Sequence, residues 1–198
     1  MKPKTNILGY VMILLIIIIS YKIYKDSDIF QLKCIVSSVD GNKYCVRERD
    51  QIEKASNLLA KTTTNMKKLV QHLNMNFSDK ENVQRLVSNF NPKKIMETLP
   101  TSEYTAYSEN KGEKIAFCLN KNKNNDNLID ENTLMFVAIH ELGHLSSKSI
   151  GHNDEFWKNF KFLLVESEKI GIYVPKDYKN NNEVYCGMKI NDNPYFDM

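Results

Sequence analysis

The hydrophobic pattern changes character several times along this chain, and each change predicts an element. Thr5 to Tyr21 carries no charge, and Ile7 to Ile19 is almost wholly apolar, with Leu14, Leu15 and Ile16 to Ile19 in one block. A bilayer-spanning helix needs about 17–25 such residues, so the run sits at the short end of that range. Ile35 and Val36 then lead into Val39-Asp40-Gly41-Asn42, and Lys43 to Val46 return. Asp-Gly between two short apolar segments predicts a hairpin over Lys33 to Arg47. From Gln51 to Leu73 the apolar positions Ile52, Ala55, Leu59, Met66, Leu69, Val70 and Leu73 follow the 3.6-residue period of an amphipathic helix. Ser78 opens a shorter helix through Val83, Leu86 and Val87 to Phe90, which Pro92 interrupts.

A second hairpin is expected where Glu103 to Ser108 and Lys114 to Leu119 flank Glu109-Asn110-Lys111-Gly112-Glu113. Lys121 to Asn127 is a polar, Asn-rich loop without periodicity. Asp130 can cap a helix whose stretch Leu134 to Ile139 is apolar nearly all round, so that helix belongs at the centre of the domain. Gly151 and Asn153 mark a break and a new cap. Phe156, Trp157, Phe160, Leu163, Leu164 and Ile170 then define another amphipathic helix, which Gly171 and Pro175 end. The tail to Met198 is mixed and turn-rich, and no internal repeat is evident.

Composition narrows the setting. The 198 residues and 42% hydrophobic content predict one folded domain with an appendage. The division expected is an anchor and flank over 1–28 and a folded domain over 29–198, with a hairpin and helical part (29–100) and a site-bearing part (101–198). The net charge of +3, with no stripe of basic side chains, argues against a nucleic-acid partner. Ser20-Tyr21-Lys22 offers no small-x-small cleavage signal after the apolar run, which favours an uncleaved anchor over a signal peptide. Lys4 and Lys22 can snorkel, and Tyr10, Tyr21 and Tyr24 suit the interface. A single-pass membrane protein with an N-terminal anchor is therefore expected. Lys2 and Lys4 precede the span, while Lys22, Lys25 and Lys33 follow it beside Asp26 and Asp28, so charge alone does not orient it. Cys34, Cys45, Cys118 and Cys186 all lie beyond the span. Paired in any of three connectivities, of which Cys34 with Cys45 is the most local, they would favour an oxidising side; unpaired, they are ordinary buried thiols.

The chemistry lies in His140-Glu141-Leu142-Gly143-His144. On a helix, two histidines four residues apart are separated by about 6 Å along the axis and project from one face. Both can then reach one metal ion at roughly 2.0–2.1 Å, with Glu141 beside them as a general base for a water. A catalytic zinc usually has three protein ligands, and His152, just past a glycine-bearing turn, is the expected third. Glu166, Glu168 and Asp154 are alternatives, although Asp154 has sufficient reason to sit in the first turn of a helix. His72 is far upstream and reads as a partly exposed helix residue.

Together with Gly151-His152-Asn153-Asp154-Glu155-Phe156-Trp157, the motif resembles the minimal zinc metallopeptidases of the WLM, SprT and YgjP-like groups. In those proteins HELxH lies on a buried helix, and a third histidine follows a short loop at the start of the next helix. The likeness covers about residues 131–165. It implies an α+β fold: after the N-terminal transmembrane helix, a small zincin-like domain with a buried HExxH helix and β-hairpins, one of them beside that helix. The seven residues between His144 and His152 exceed the five of metzincins, which argues against that class. The resemblance implies a hydrolase of peptide bonds that uses Zn2+ held by His140, His144 and His152, which the N-terminal run would anchor to a membrane. Glu141 serves as general base toward a zinc-activated water, and the substrate is a peptide or protein. Tyr173, Tyr178 and Tyr185 are all candidates for stabilising the oxyanion, and Phe156 and Trp157 are expected in the core behind the third ligand. The competing reading is a zinc-binding structural or interaction protein of a membrane or particle, without turnover; the intact Glu141 weighs against it. Some members of these groups act on DNA–protein crosslinks, but the anchor and the absence of a basic stripe disfavour that role.

Overall fold

Ile7–Asp26 form one continuous helix, α1, whose apolar side chains find no cover in the protein: Ile16 to Ile19 are each 54–59% exposed. The helix is long and apolar enough to cross a membrane. The structure, a computed structural model, describes residues 7–27, 31–123 and 127–197. The flanking Lys2, Lys4 and Asp28, and positions 124–126 of the Asn-rich loop, lie outside the described residues.

The remainder is a mixed α+β domain. Strands β1 (Lys33–Val36) and β2 (Lys43–Val46) form the expected hairpin, with Gly41 at φ 69° in its turn. Cys34 faces Cys45 across it, and the two form a disulfide. Helix α2 (Ile52–Asn76) buries the stripe Ala55, Leu59, Met66, Leu69 and Leu73 completely. Helix α3 (Glu81–Asn89) starts three residues later than Ser78 predicts, because Lys80 takes the cap position. Beyond Pro92, a strand that sequence periodicity does not announce, β3 (Ile95–Glu97), enters a three-stranded sheet. Its partner is the central β5 (Lys114–Phe117), to which it is parallel; β4 (Ala106–Glu109) pairs antiparallel on the other side of β5. The β4–β5 turn needs positive φ at Asn110, Lys111 and Gly112. At Gly112 a Cβ would stand 2.1 Å from the Asn89 carbonyl oxygen, so only glycine fits there.

Helix α4 (Glu131–Ser146) is the centre. The Asp130 carboxylate accepts from the Thr133 N–H at its start, and Thr133 to Ile139 are all buried. It packs against α2, α3, β4 and the following helix α5 (Asp154–Lys169), which Asn153 caps by accepting from the Phe156 N–H. Each large apolar side chain fully removed from water on these faces contributes about 1.5–3 kcal/mol. The tail is more ordered than its composition predicts. Strands β6 (Glu183–Tyr185) and β7 (Met188–Ile190) form a third hairpin, tied to the end of β5 by the Cys118–Cys186 disulfide. All four cysteines are therefore paired.

One ion cluster is sealed inside the fold. The Glu97 carboxylate accepts from the Arg47 backbone N–H (2.7 Å) and from Arg49 Nη2. Arg47 donates onward to Thr98 O (2.8 Å), Thr98 Oγ1 (2.9 Å) and Leu99 O (3.1 Å). Burial pushes the Glu97 carboxyl up, against the pull of Arg49 and Arg47. The cluster joins β2 to β3 and has a protein partner for every charge.

Candidate metal centre

Two turns of α4 and the loop after it bring three imidazoles to one point. The Nε2 atoms of His140 and His144 are 3.2 Å apart, and His152 Nε2 lies 3.0 Å from the first and 3.2 Å from the second. Among the described residues these three are the group of side chains able to share one metal ion. Four-residue spacing puts His140 and His144 on one face of α4, as the motif predicts; the loop at 147–153 supplies His152 from outside the helix.

The triangle has no internal solution by hydrogen bonding. Each contact needs one donor and one acceptor, and an imidazole nitrogen that carries a proton cannot also accept. Three nitrogens pointing their lone pairs at one another call for a cation. A tetrahedral ion with nitrogen ligands at about 2.0–2.1 Å would set them about 3.3 Å apart, close to the separations found. Burial pushes the His140 imidazole down to about 3, helped by His144 and His152, and pushes His144 down to about 4. Both therefore present neutral, ligating nitrogens. The donor set fits a metal.

Glu141 points from the same helix into the same cleft and is 4% exposed. Burial pushes its carboxyl up to about 8; an adjacent positive charge would bring it down. A buried carboxyl with a tunable proton affinity is what proton transfer near neutral pH requires.

Packing fixes the three imidazoles from behind. Phe156, fully buried, lies under the triad: its ring stacks on His144 (centroids 4.4 Å, 28°) and stands edge-on to His140 (4.8 Å). Gly143 lets that ring approach, since a Cβ there would lie 3.1 Å from Phe156 Cε2. The loop to His152 is held by three further residues. Glu155 accepts from the Lys148 N–H (2.9 Å), the Ser149 N–H (3.3 Å) and Ser149 Oγ (3.0 Å). Arg85 on α3 joins Glu155 (3.2 Å) to the Ser146 carbonyl oxygen at the end of α4 (3.0 Å). Trp157 donates its indole N–H to the His152 carbonyl oxygen at 3.0 Å. The hydrogen bond from Lys148, followed by those from Ser149, holds the Glu155 carboxyl below its ordinary range.

The other sequence candidates stand elsewhere. Glu166 accepts from Lys169 Nζ (2.6 Å) and pairs with His72 Nε2 (2.9 Å), tying α2 to α5. Glu168 accepts from the Tyr195 hydroxyl, and Asp154 stays exposed in the first turn of α5. Phe156 is core as expected, but Trp157 is not: it is 42% exposed, because the buried face of α5 runs through Phe156, Phe160, Leu163 and Leu164. Of the three tyrosines, Tyr173 and Tyr178 pack on Phe136, whereas Tyr185 lines the cleft and donates to the Thr105 carbonyl oxygen at 3.1 Å. Sequence reasoning missed Arg85 and Glu155; an acid three residues after His152 was the available signal.

An α+β domain with a triad of histidines and a buried glutamate at the floor of a cleft defines a class, and comparison with known proteins names it. Residues 42–195 match the model of the WLM domain, and the chain belongs to that family. Among curated proteins it is 28% identical over 162 residues to "Uncharacterized protein R325" of Acanthamoeba polyphaga mimivirus, covering 80% of this chain and 82% of the relative. It is 32% identical over 90 residues to "Uncharacterized protein 136R" of Invertebrate iridescent virus 6, covering 44% of this chain and 50% of the relative. With "Uncharacterized protein 042R" of Invertebrate iridescent virus 3 it shares 34% over 99 residues, 50% of this chain and 57% of the relative. No solved structure matches the chain.

Proposed function

We propose that this chain is a membrane-anchored zinc metallopeptidase with a zincin-like domain, His140, His144 and His152 being the zinc ligands. The observation that carries the reading is the convergence of three imidazole Nε2 atoms within 3.2 Å of one another, beside a buried glutamate at the floor of an open cleft. Bound zinc would supply a Lewis acid that polarises a peptide carbonyl and makes a water acidic enough to attack near neutral pH. Glu141 would accept a proton from the attacking water and deliver it to the departing amine. Phe156 and the braced loop at 147–153 keep the three imidazoles aimed at one point, so no reorganisation is needed when substrate arrives. Strand β4 sits at the edge of its sheet, and Ala106 to Ser108 line the cleft, which offers an extended chain a place to lie.

Helix α1 would hold the domain at a membrane surface. The two disulfides, with no thiol left free, favour the oxidising side of that membrane. The partners are then a polypeptide substrate and the bilayer, with no nucleic acid.

The decisive experiment uses the full chain in detergent. One zinc should bind per chain, and Glu141→Gln should keep that zinc while lowering kcat by about 10²–10⁴. Cleavage that survives in Glu141→Gln would sink the assignment of the base. Zinc binding without turnover in the wild type would favour the structural alternative.

A further inference from the structure

The cleft that ends at the triad is about 720 Å³, enough for several residues of a polypeptide. Its walls are poor in charge. Apart from the three histidines, the ionisable groups lining it among the described residues are Glu141, at the floor, Lys111 and three tyrosines. The Lys111 ammonium is already engaged, donating to the carbonyl oxygens of Ser147 (3.2 Å) and Lys148. The rest is mostly apolar, with Phe136 and Val137 from α4, Tyr104 and Ile150 at the rim, and Met188 and Ile190 from β7, beside the neutral polar Thr105, Ser108, Asn110 and Ser149.

The last two are distinctive. In a strand, residues two apart share a face, so Met188 and Ile190 both turn to the cleft while Lys189 between them turns away. The hairpin that carries them is fixed at several points. Cys186 is bonded to Cys118, its N–H donates to Asn120 O (3.0 Å), and the Gly187 N–H donates to Lys121 O (2.8 Å). Tyr185 joins the same hairpin to the loop before β4. A wall held this firmly can discriminate between side chains.

We propose that the cleft takes a polypeptide with a bulky apolar side chain, of the Leu, Phe or Met kind, next to the scissile bond, and that Met188 and Ile190 select it. The proposal rests on the peptidase reading for the bond but on the cleft alone for the side chain. A charged side chain there would lose water against the apolar Met188 and Ile190, with Glu141 at the floor and Lys111 already held by two carbonyl oxygens. An apolar pocket discriminates by about 10–200-fold on differences as small as one methylene, so apolar against charged should reach at least about tenfold.

The test is cleavage of a mixed decapeptide library by the zinc-loaded full chain in detergent, with sites mapped by mass spectrometry. Apolar residues should exceed charged ones at least tenfold at one position flanking the cut. Met188 is 53% exposed, so Met188→Glu leaves the core untouched and should erase that preference while admitting Lys or Arg. A library profile without apolar preference, or one unchanged in Met188→Glu, overturns the proposal. If nothing is cleaved, the peptidase reading fails separately. Fluorescence anisotropy of labelled Leu- or Phe-bearing and Lys- or Asp-bearing decapeptides on Glu141→Gln still decides the cleft. Apolar binding at least tenfold tighter, and lost in the Met188→Glu double variant, supports the proposal; equal binding overturns it.

Discussion

Two polar clusters of this domain are built on opposite principles. Around Glu97, unlike charges meet: the carboxylate takes Arg49 and the Arg47 N–H, and Arg47 continues to Thr98 and Leu99. Around His140, like atoms meet: three imidazole Nε2 atoms crowd within 3.2 Å, and they cannot all satisfy one another by hydrogen bonding. The first cluster is closed, with Arg49 and Glu97 side chains at most 1% exposed, and it joins β2 to β3. The second opens into a cleft. A buried polar group that the chain satisfies by itself holds a fold together, whereas one left for an outside species to satisfy makes a site.

The comparison can be broken by substitution. The largest effect is expected at the closed cluster: Arg49→Met leaves Glu97 buried with one cation fewer and should destabilise the chain by about 3–5 kcal/mol, whether or not zinc is present. Thermal unfolding in detergent, with and without chelator, measures it. The open cluster should behave the other way. His152 is exposed, so His152→Ala should change the chelated protein's stability by no more than about 0.5 kcal/mol. Zinc affinity should nevertheless fall at least about 100-fold, more than the loss of an outer residue causes. Zinc at 100 times its Kd should raise wild-type stability by about 2.7 kcal/mol, and chelation should remove that gain. If His152→Ala weakened the metal-free chain as much as Arg49→Met, the two clusters would be of one kind.

A smaller effect should come from the brace between them in character. Glu155→Gln keeps the shape but weakens the acceptor for the Lys148 and Ser149 N–H groups, and zinc affinity should drop by about tenfold. The pH dependence has a definite sign. The Glu155 carboxyl sits below its ordinary 4.5 in the folded protein, so its contribution is full above that value and is lost as pH falls through the lower folded value. Protection of the Lys148 and Ser149 amides, measured against the intrinsic exchange rate at each pH, should therefore hold at pH 5 and above and fall on further acidification. Protection that does not change down to pH 3 would remove Glu155 from this role.

Local pattern made part of this legible. The stripe from Ala55 to Leu73 needs only the helical period, and Asp130 and Asn153 cap their helices by bonds to residues three positions on. His140, Glu141 and His144 are tied by spacing on one helix, and the loop to His152 is short. What the sequence hid is long-range. Strand β3 is three residues long and exists because β5 accepts it in parallel from twenty positions further on. The β6–β7 hairpin takes its place from a disulfide with a sequence separation of 68. Trp157 sits one position beyond Phe156, about 100° round the helix, and that rotation decides between core and surface. Arg85 acts on the site from a helix that looks unrelated to it until α3 packs on α4.

Gly143 gives the site a dimension that the ligand residues do not. It occupies one of the two positions between His140-Glu141 and His144 that the metal-binding pattern leaves free, yet a methyl group there would press the Phe156 ring at 3.1 Å. That ring is the spacer between α4 and the start of α5, so the missing side chain acts as a gauge block: it sets how near the second helix lies to the first. His152 rides just ahead of the second helix. A single hydrogen atom in place of a side chain thus calibrates the reach of the third imidazole toward the other two.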